Sequence, residues 1–236
     1  MRGWAVPRWH LGATTAMPPR WPLDFSGLYG TKTWEGEHYQ MAETNWKKPA
    51  TWNRKAAKEG RRIRVFSGSM CDVFDNKANP AARERLWDTI RVTPHLDWLL
   101  LTKRAPNIEK YLPADWGDGY SNVWLGVTCE DRQHGYQRLD VLRQIPAVVR
   151  FVSAEPLLED IADADLTGID WLIVGGESGA DFRPMNPDWA RVLRDRCQRE
   201  GVAFFYKQDG GLAGGGHLLD GVRYYDWPSR THQIAA

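Results

Sequence analysis

Six short apolar runs punctuate the chain: Ile63–Ser67, Trp98–Thr102, Val123–Val127, Val149–Ser153, Trp171–Val174 and Ala203–Tyr206. Each has strand length and little polar alternation, which suits strands buried on both faces of a parallel sheet. Helical patterns lie between most of them. Pro80–Arg91 is amphipathic through Ala81, Leu86 and Ile90, and Ala105–Tyr111 is shorter. Glu130–Gln144 carries Tyr136, Leu139 and Leu142, and Ile161–Leu166 predicts one more short helix. Pro187–Glu200 closes the series, with a stripe of Trp189, Val192, Leu193 and Cys197. Asn186 or Asp188 caps its start and Gly201 stops it. Strands alternating with helices predict a parallel α/β fold. Six such units favour a partial TIM-type (β/α) barrel of about six strands over a small open sheet.

The pattern weakens at both ends. Residues 1–45 are rich in Pro, Gly and Trp and read as an irregular N-terminal segment, leaving 46–236 as a single barrel-like domain. Ala50–Gly60 predicts a helix ended by its glycine. Gly210–Gly216 reads as a flexible loop that precedes no clear helix, which makes it a poor phosphate loop. His217–Trp227 predicts a terminal hairpin or cap.

Parallel α/β sheets bind ligands at the carboxyl ends of their strands. Every predicted strand ends in polar chemistry. In chain order the ends carry Ser67, Ser69, Cys71 and Asp72; then Thr102, Lys103 and Arg104; then Thr128, Cys129, Glu130 and Asp131. The last three carry Ser153 and Glu155; Gly176, Glu177 and Ser178; and Lys207 and Gln208. Lys103, Glu155, Glu177 and Lys207 are the candidate catalytic residues. Lys103, Arg104 and Lys207 suit an anion. Glu155 and Glu177 follow adjacent strands, where two carboxylates can share a proton, coordinate a metal or fix an amine. The alternative is that each is tied to Lys103 or Lys207 as a structural ion pair. Gly175, Gly176 and Ser178, with Ser153 and Gln208, are the candidate cofactor contacts, the two glycines through backbone N–H groups. The six histidines are scattered, and His95 and His134 fall on outer segments.

Net charge is only +1, so global charge makes no case for a nucleic-acid partner. Its distribution does. Lys47, Lys48, Arg54, Lys55, Lys58, Arg61, Arg62 and Arg64 face a single acid, Glu59, and are interleaved with Trp46 and Trp52. That is either a nucleic-acid surface or a solvated helix face. Thirteen tryptophans either anchor the core or stack on bases. Cys71, Cys129 and Cys197 have no metal-ligand spacing and no disulfide framework, which fits a reducing cytoplasm. No apolar run reaches the roughly 18 residues of a membrane span.

Seven ordered motifs go further: Trp52-Asn53-Arg54, Val65–Phe74 (VFSGSMCDVF), Leu99–Arg104 (LLLTKR), Asn122–Thr128 (NVWLGVT), Arg150–Leu158 (RFVSAEPLL), Val174–Gly179 (VGGESG) and Phe204–Gln208 (FFYKQ). Together, from about Trp46 to Pro228, they resemble a family of uncharacterised phage and bacterial proteins that look like radical-SAM enzymes. The resemblance implies S-adenosylmethionine as cofactor, a nucleic acid or nucleotide as substrate, and an iron–sulfur cluster held by an N-terminal cysteine motif. No cysteine precedes Cys71 here. The expectation is a member without the cluster, natural or truncated, that has lost radical chemistry. The N-terminal segment would then cover the edge left by a missing first strand.

Overall fold

The computed structural model describes residues 23–24, 43–67, 72–211 and 216–229. Expectations for most of the N-terminal segment, for Ser69 and Cys71, and for residues 212–215 lie outside the described residues. The chain forms two compact units, one of Pro22–Val127 with Asp140–Arg150, the other of Thr128–Leu139 with Phe151–Ser229. Both are built on parallel strands, an α/β fold.

The first unit runs β1 (Leu23–Asp24), α1 (Glu43–Trp46), α2 (Lys48–Lys58), β2 (Ile63–Ser67), α3 (Pro80–Arg91), β3 (Leu96–Thr102), α4 (Ile108–Tyr111) and β4 (Val123–Thr128) up to Val127. Its strands pair in chain order, all parallel. The sequence misses β1, which puts Leu23 opposite Val65 and Asp24 opposite Phe66 on the edge of β2. Ala105–Tyr111 divides into a 3-10 turn, Ala105–Asn107, and α4. Trp87, Trp98 and Trp124 are buried to 2% exposure or less, so these tryptophans anchor the core. Burying one such side chain contributes about 3 kcal/mol. The inward face of α3 is Arg83, Leu86, Trp87 and Ile90, whereas Ala81, expected inside, is exposed. Arg83 is buried because its guanidinium donates to the carbonyls of Val73 and Asp75, at 2.8 and 2.6 Å, and stacks 3.7 Å over Tyr111.

The second unit takes in α5 (Arg132–Gln144) up to Leu139, then β5 (Val149–Ala154) from Phe151, β6 (Trp171–Gly175), α6 (Pro187–Glu200) and β7 (Ala203–Gln208). β5, β6 and β7 are parallel and adjacent in that order. The segment Ile161–Leu166 is a run of turns, not a helix. Asp160 accepts from the Ala162 N–H at 2.8 Å and Asp165 from the Thr167 N–H at 2.9 Å. Such side-chain turns compete with helical backbone bonds. On α6 the buried residues are Ala190, Leu193 and Cys197, while Val192 is 46% exposed. Asn186 caps the helix by accepting from the Asp188 N–H, and Gly201 ends it at φ +71°. Asn186→Ala should cost about 1 kcal/mol in urea unfolding.

The expected terminal cap forms along β7. The Tyr206 N–H donates to the Tyr224 carbonyl at 2.8 Å, and the Asp226 N–H to the Phe204 carbonyl at 3.0 Å. Tyr225 stacks on Phe205 at 4.4 Å, and Trp227 meets Trp171 at 4.7 Å. An edge strand is thereby covered.

Candidate functional site at the ends of β5, β6 and β7

Glu155 follows β5, and Lys207 lies at the end of β7. With β6 between them, sheet spacing separates their backbones by about 9.6 Å. They meet across the intervening residue, Gly175, which places no side chain between them. A Cβ there would stand 3.4 Å from Lys207 Cβ and 3.5 Å from both Glu155 Cγ and Gln208 Cγ. Across that gap Lys207 Nζ donates to both Glu155 oxygens, at 2.6 and 2.8 Å. The carboxylate side chain is 9% exposed and the lysine 27%. Gln208 Nε2 donates to the Gly176 carbonyl at 2.9 Å and reaches Glu155 Oε1 at 3.3 Å. Ser153, two residues before Glu155, is 5% exposed. The result is a nearly dry carboxylate held by a half-open lysine.

The glycines after β6 serve the backbone. The Gly176 N–H, a candidate ligand donor from sequence, is taken by the Gln208 carbonyl at 2.9 Å. Glu177 and Ser178 pair with the segment after β7: the Gly211 N–H donates to the Glu177 carbonyl, the Gly179 N–H to the Gly211 carbonyl, and Ser178 bridges Gly211 in parallel. Glu177 is not joined to Glu155. Its carboxylate accepts from the Arg183 backbone N–H, Nε and Nη2, each at 2.8 Å. The Arg183 guanidinium, and then its backbone N–H, hold the Glu177 carboxyl below its usual value of 4.5. A depressed folded value stabilises above the unfolded one and is lost as pH falls through the folded value. Acidification from about pH 5 to about pH 3 should therefore lower the melting temperature of the native protein more than that of Arg183→Ala. Arg183 was not legible beforehand, because a contact six residues along an irregular loop has no periodic signal.

Other candidates have their own settings. In the first unit Lys103 is exposed, and its backbone N–H donates to Asp72 at 3.2 Å. Arg104 bridges Asp72 and Asp75 at 3.0 and 2.9 Å. In the second unit Arg138 ties the Thr128 hydroxyl and Glu130 together at 2.9 and 2.7 Å. Lys47, Lys48, Arg54, Lys55 and Arg61 are exposed on or beside α2. Arg62 instead forms a 2.6 Å pair with Asp97, with side chains 13% and 6% exposed, and Arg64 lies over Trp124 at 5.5 Å.

Two cysteines are described, Cys129 and Cys197, both buried. Burial pushes each thiol up to about 12, away from the thiolate that an iron–sulfur cluster needs. The Cys129 sulfur packs against Gly135, where a Cβ would stand 2.2 Å away, so it is a packing group. These residues do not fit a cluster. Among the described residues no group of three or more His, Cys, Asp or Glu is placed to hold a metal ion. No helix among them is long and apolar enough to cross a membrane.

Compared with known families, residues 13–228 match the model described as a protein of unknown function, DUF5131. No curated protein and no solved structure matches the chain.

Proposed function

We propose, starting from a chain that belongs to the DUF5131 family, that the carboxyl ends of β5, β6 and β7 bind a small zwitterionic ligand of the S-adenosylmethionine class. The observation that carries this reading is the Glu155–Lys207 pair, closed over Gly175 at 2.6 and 2.8 Å. A ligand with an ammonium and a carboxylate is the electrostatic complement of that pair. Its ammonium takes Glu155 and its carboxylate takes Lys207, so neither the buried carboxylate nor its lysine is left without a partner. Gln208, 2% exposed, orients the Glu155 carboxylate through Nε2.

When bound, S-adenosylmethionine supplies an electrophilic sulfonium. The two described cysteines do not fit an iron–sulfur cluster, so no radical step is carried over to them. The reading is a relative of radical-SAM-like proteins whose described cysteines hold no cluster, with their partial (β/α) barrel and a nucleic acid or nucleotide as substrate; the seven ordered sequence motifs support it.

The test is a melting curve with S-adenosylmethionine, beside methionine and adenosine as half-ligands. At a hundredfold excess over Kd the folded state gains about 2.7 kcal/mol, a rise of roughly 5 °C. S-adenosylmethionine should raise the midpoint, and Glu155→Gln should abolish the rise. No rise in the native protein, or an equal rise in the variant, would sink the reading.

A further inference from the structure

The eight cations between Trp46 and Arg64 do not form one surface. Arg62 and Arg64 are committed to Asp97 and Trp124 within the first unit. The others stand out on α2 and its ends. At about 100° per residue, Lys47, Arg54 and Lys58 fall within about 40° of one another, and Lys48 and Lys55 lie roughly 80–100° round from Lys47. Pro49 and Ala56, on the opposite side, are the buried residues of the helix. One acid, Glu59, belongs to this stretch, and it pairs with Lys55 at 3.9 Å and Arg61 at 2.6 Å.

We infer that the outward face of α2 binds the phosphate backbone of a nucleic acid. The helical rise separates Arg54 from Lys58 by about 6 Å and Lys48 from Lys55 by about 10 Å. Phosphates recur about every 3.4 Å of axis along one strand, so these cations match every second or third phosphate. The face carries no base-reading pattern, so recognition is of the backbone. A membrane surface fits less well. An interfacial helix inserts large apolar side chains beside its cations. The exposed residues between the cations of α2 are only Ala50, Thr51 and Ala57; Trp52, its one large apolar side chain, is half-buried beside the inward Pro49 and Ala56. The inference is independent of the ligand proposed for the second unit, and its test uses no such ligand.

The experiment is fluorescence anisotropy of the full chain with short labelled single-stranded and duplex oligonucleotides across a salt series. The native protein should bind, with log K falling linearly against log salt. Replacing Lys48, Arg54, Lys55 and Lys58 by Gln preserves helix propensity. That variant should bind at least tenfold more weakly, with a salt slope shallower by about 2–4, one phosphate contributing about 0.9. Arg199→Gln, on α6, should bind as the native protein does. A single Lys55→Gln change gives a second reading, a slope shallower by about 1, if the fourfold variant melts early. The inference is overturned if the native protein shows no salt-dependent binding, or if the fourfold variant binds as tightly. Equal competition by polyglutamate, or binding confined to anionic vesicles, would overturn it too.

Discussion

Lys207→Met should lower the free energy of unfolding by about 3 kcal/mol, at the low end of the range for breaking a buried ion pair. The cost comes mostly from what remains. Glu155, 9% exposed in its side chain, would keep its charge and lose both lysine hydrogen bonds. The value sits at the low end because the lysine is 27% exposed, so water can follow it, and because Gln208 Nε2 remains 3.3 Å from Glu155. Removing both charges has a different outcome. Glu155→Leu with Lys207→Met replaces the pair by apolar groups of similar reach and should return to within about 1 kcal/mol of the native protein. Urea unfolding of the native chain, both single variants and the double variant gives the coupling. A loss under about 1 kcal/mol for Lys207→Met would show that the pair is well hydrated and not a dry centre.

Gly176→Ala should cost about 3 kcal/mol or more, while its neighbour Gly175→Ala should stay within about 1 kcal/mol. A methyl group at 176 would stand 2.1 Å from the Asp209 carbonyl oxygen and 3.0 Å from the Gly210 nitrogen, both backbone atoms that cannot rotate aside. Relief requires parting the segment after β6 from the segment after β7, where the Gly211 N–H meets the Glu177 carbonyl at 2.8 Å. At 175 the nearest atoms are side-chain carbons at 3.4 and 3.5 Å, which is ordinary contact. An alanine there also gains from a stiffer unfolded chain. Chemical denaturation of the two variants checks the contrast. Equal losses would show that the two segments are not locked together as described.

Much of the fold was written in the apolar runs. A strand buried on both faces needs no alternation, and Trp171–Gly175 is buried at every position. β2 keeps its expected bounds and β3 starts two residues early, while β4 to β7 run one or two residues beyond their expected ends because the ladder outlasts the apolar run: Gln208 still pairs with Gly175. Where the sequence misled, turn chemistry or side-chain size was responsible. Ile161, Ala164 and Leu166 are all buried and mimic a helical stripe, yet aspartate side chains bond the N–H groups of Ala162 and Thr167. Val192 is the larger apolar residue, but helix phase puts Ala190 inside. β1 offers two residues, too few to make a pattern.

The site was legible in part. Strand ends located Glu155, Lys207 and Gln208, and the alternative reading of Glu155 as an ion pair with Lys207 describes their geometry. What the sequence could not give was the role of the glycines. Gly175 lies between the two charges, where a Cβ would make only ordinary contact, and Gly176 is the residue that allows the close approach of Asp209. Each role depends on which strand lies alongside, and local pattern does not carry that information.

The most direct measurement is a calorimetric titration of S-adenosylmethionine into the native protein and into the Glu155→Leu, Lys207→Met double variant. That variant should fold to within about 1 kcal/mol of the native chain's stability while lacking both charges. The account predicts saturable binding to the native protein and none to the variant. The same Kd for both would contradict it, because the ligand would then be held elsewhere than at the ends of β5 and β7.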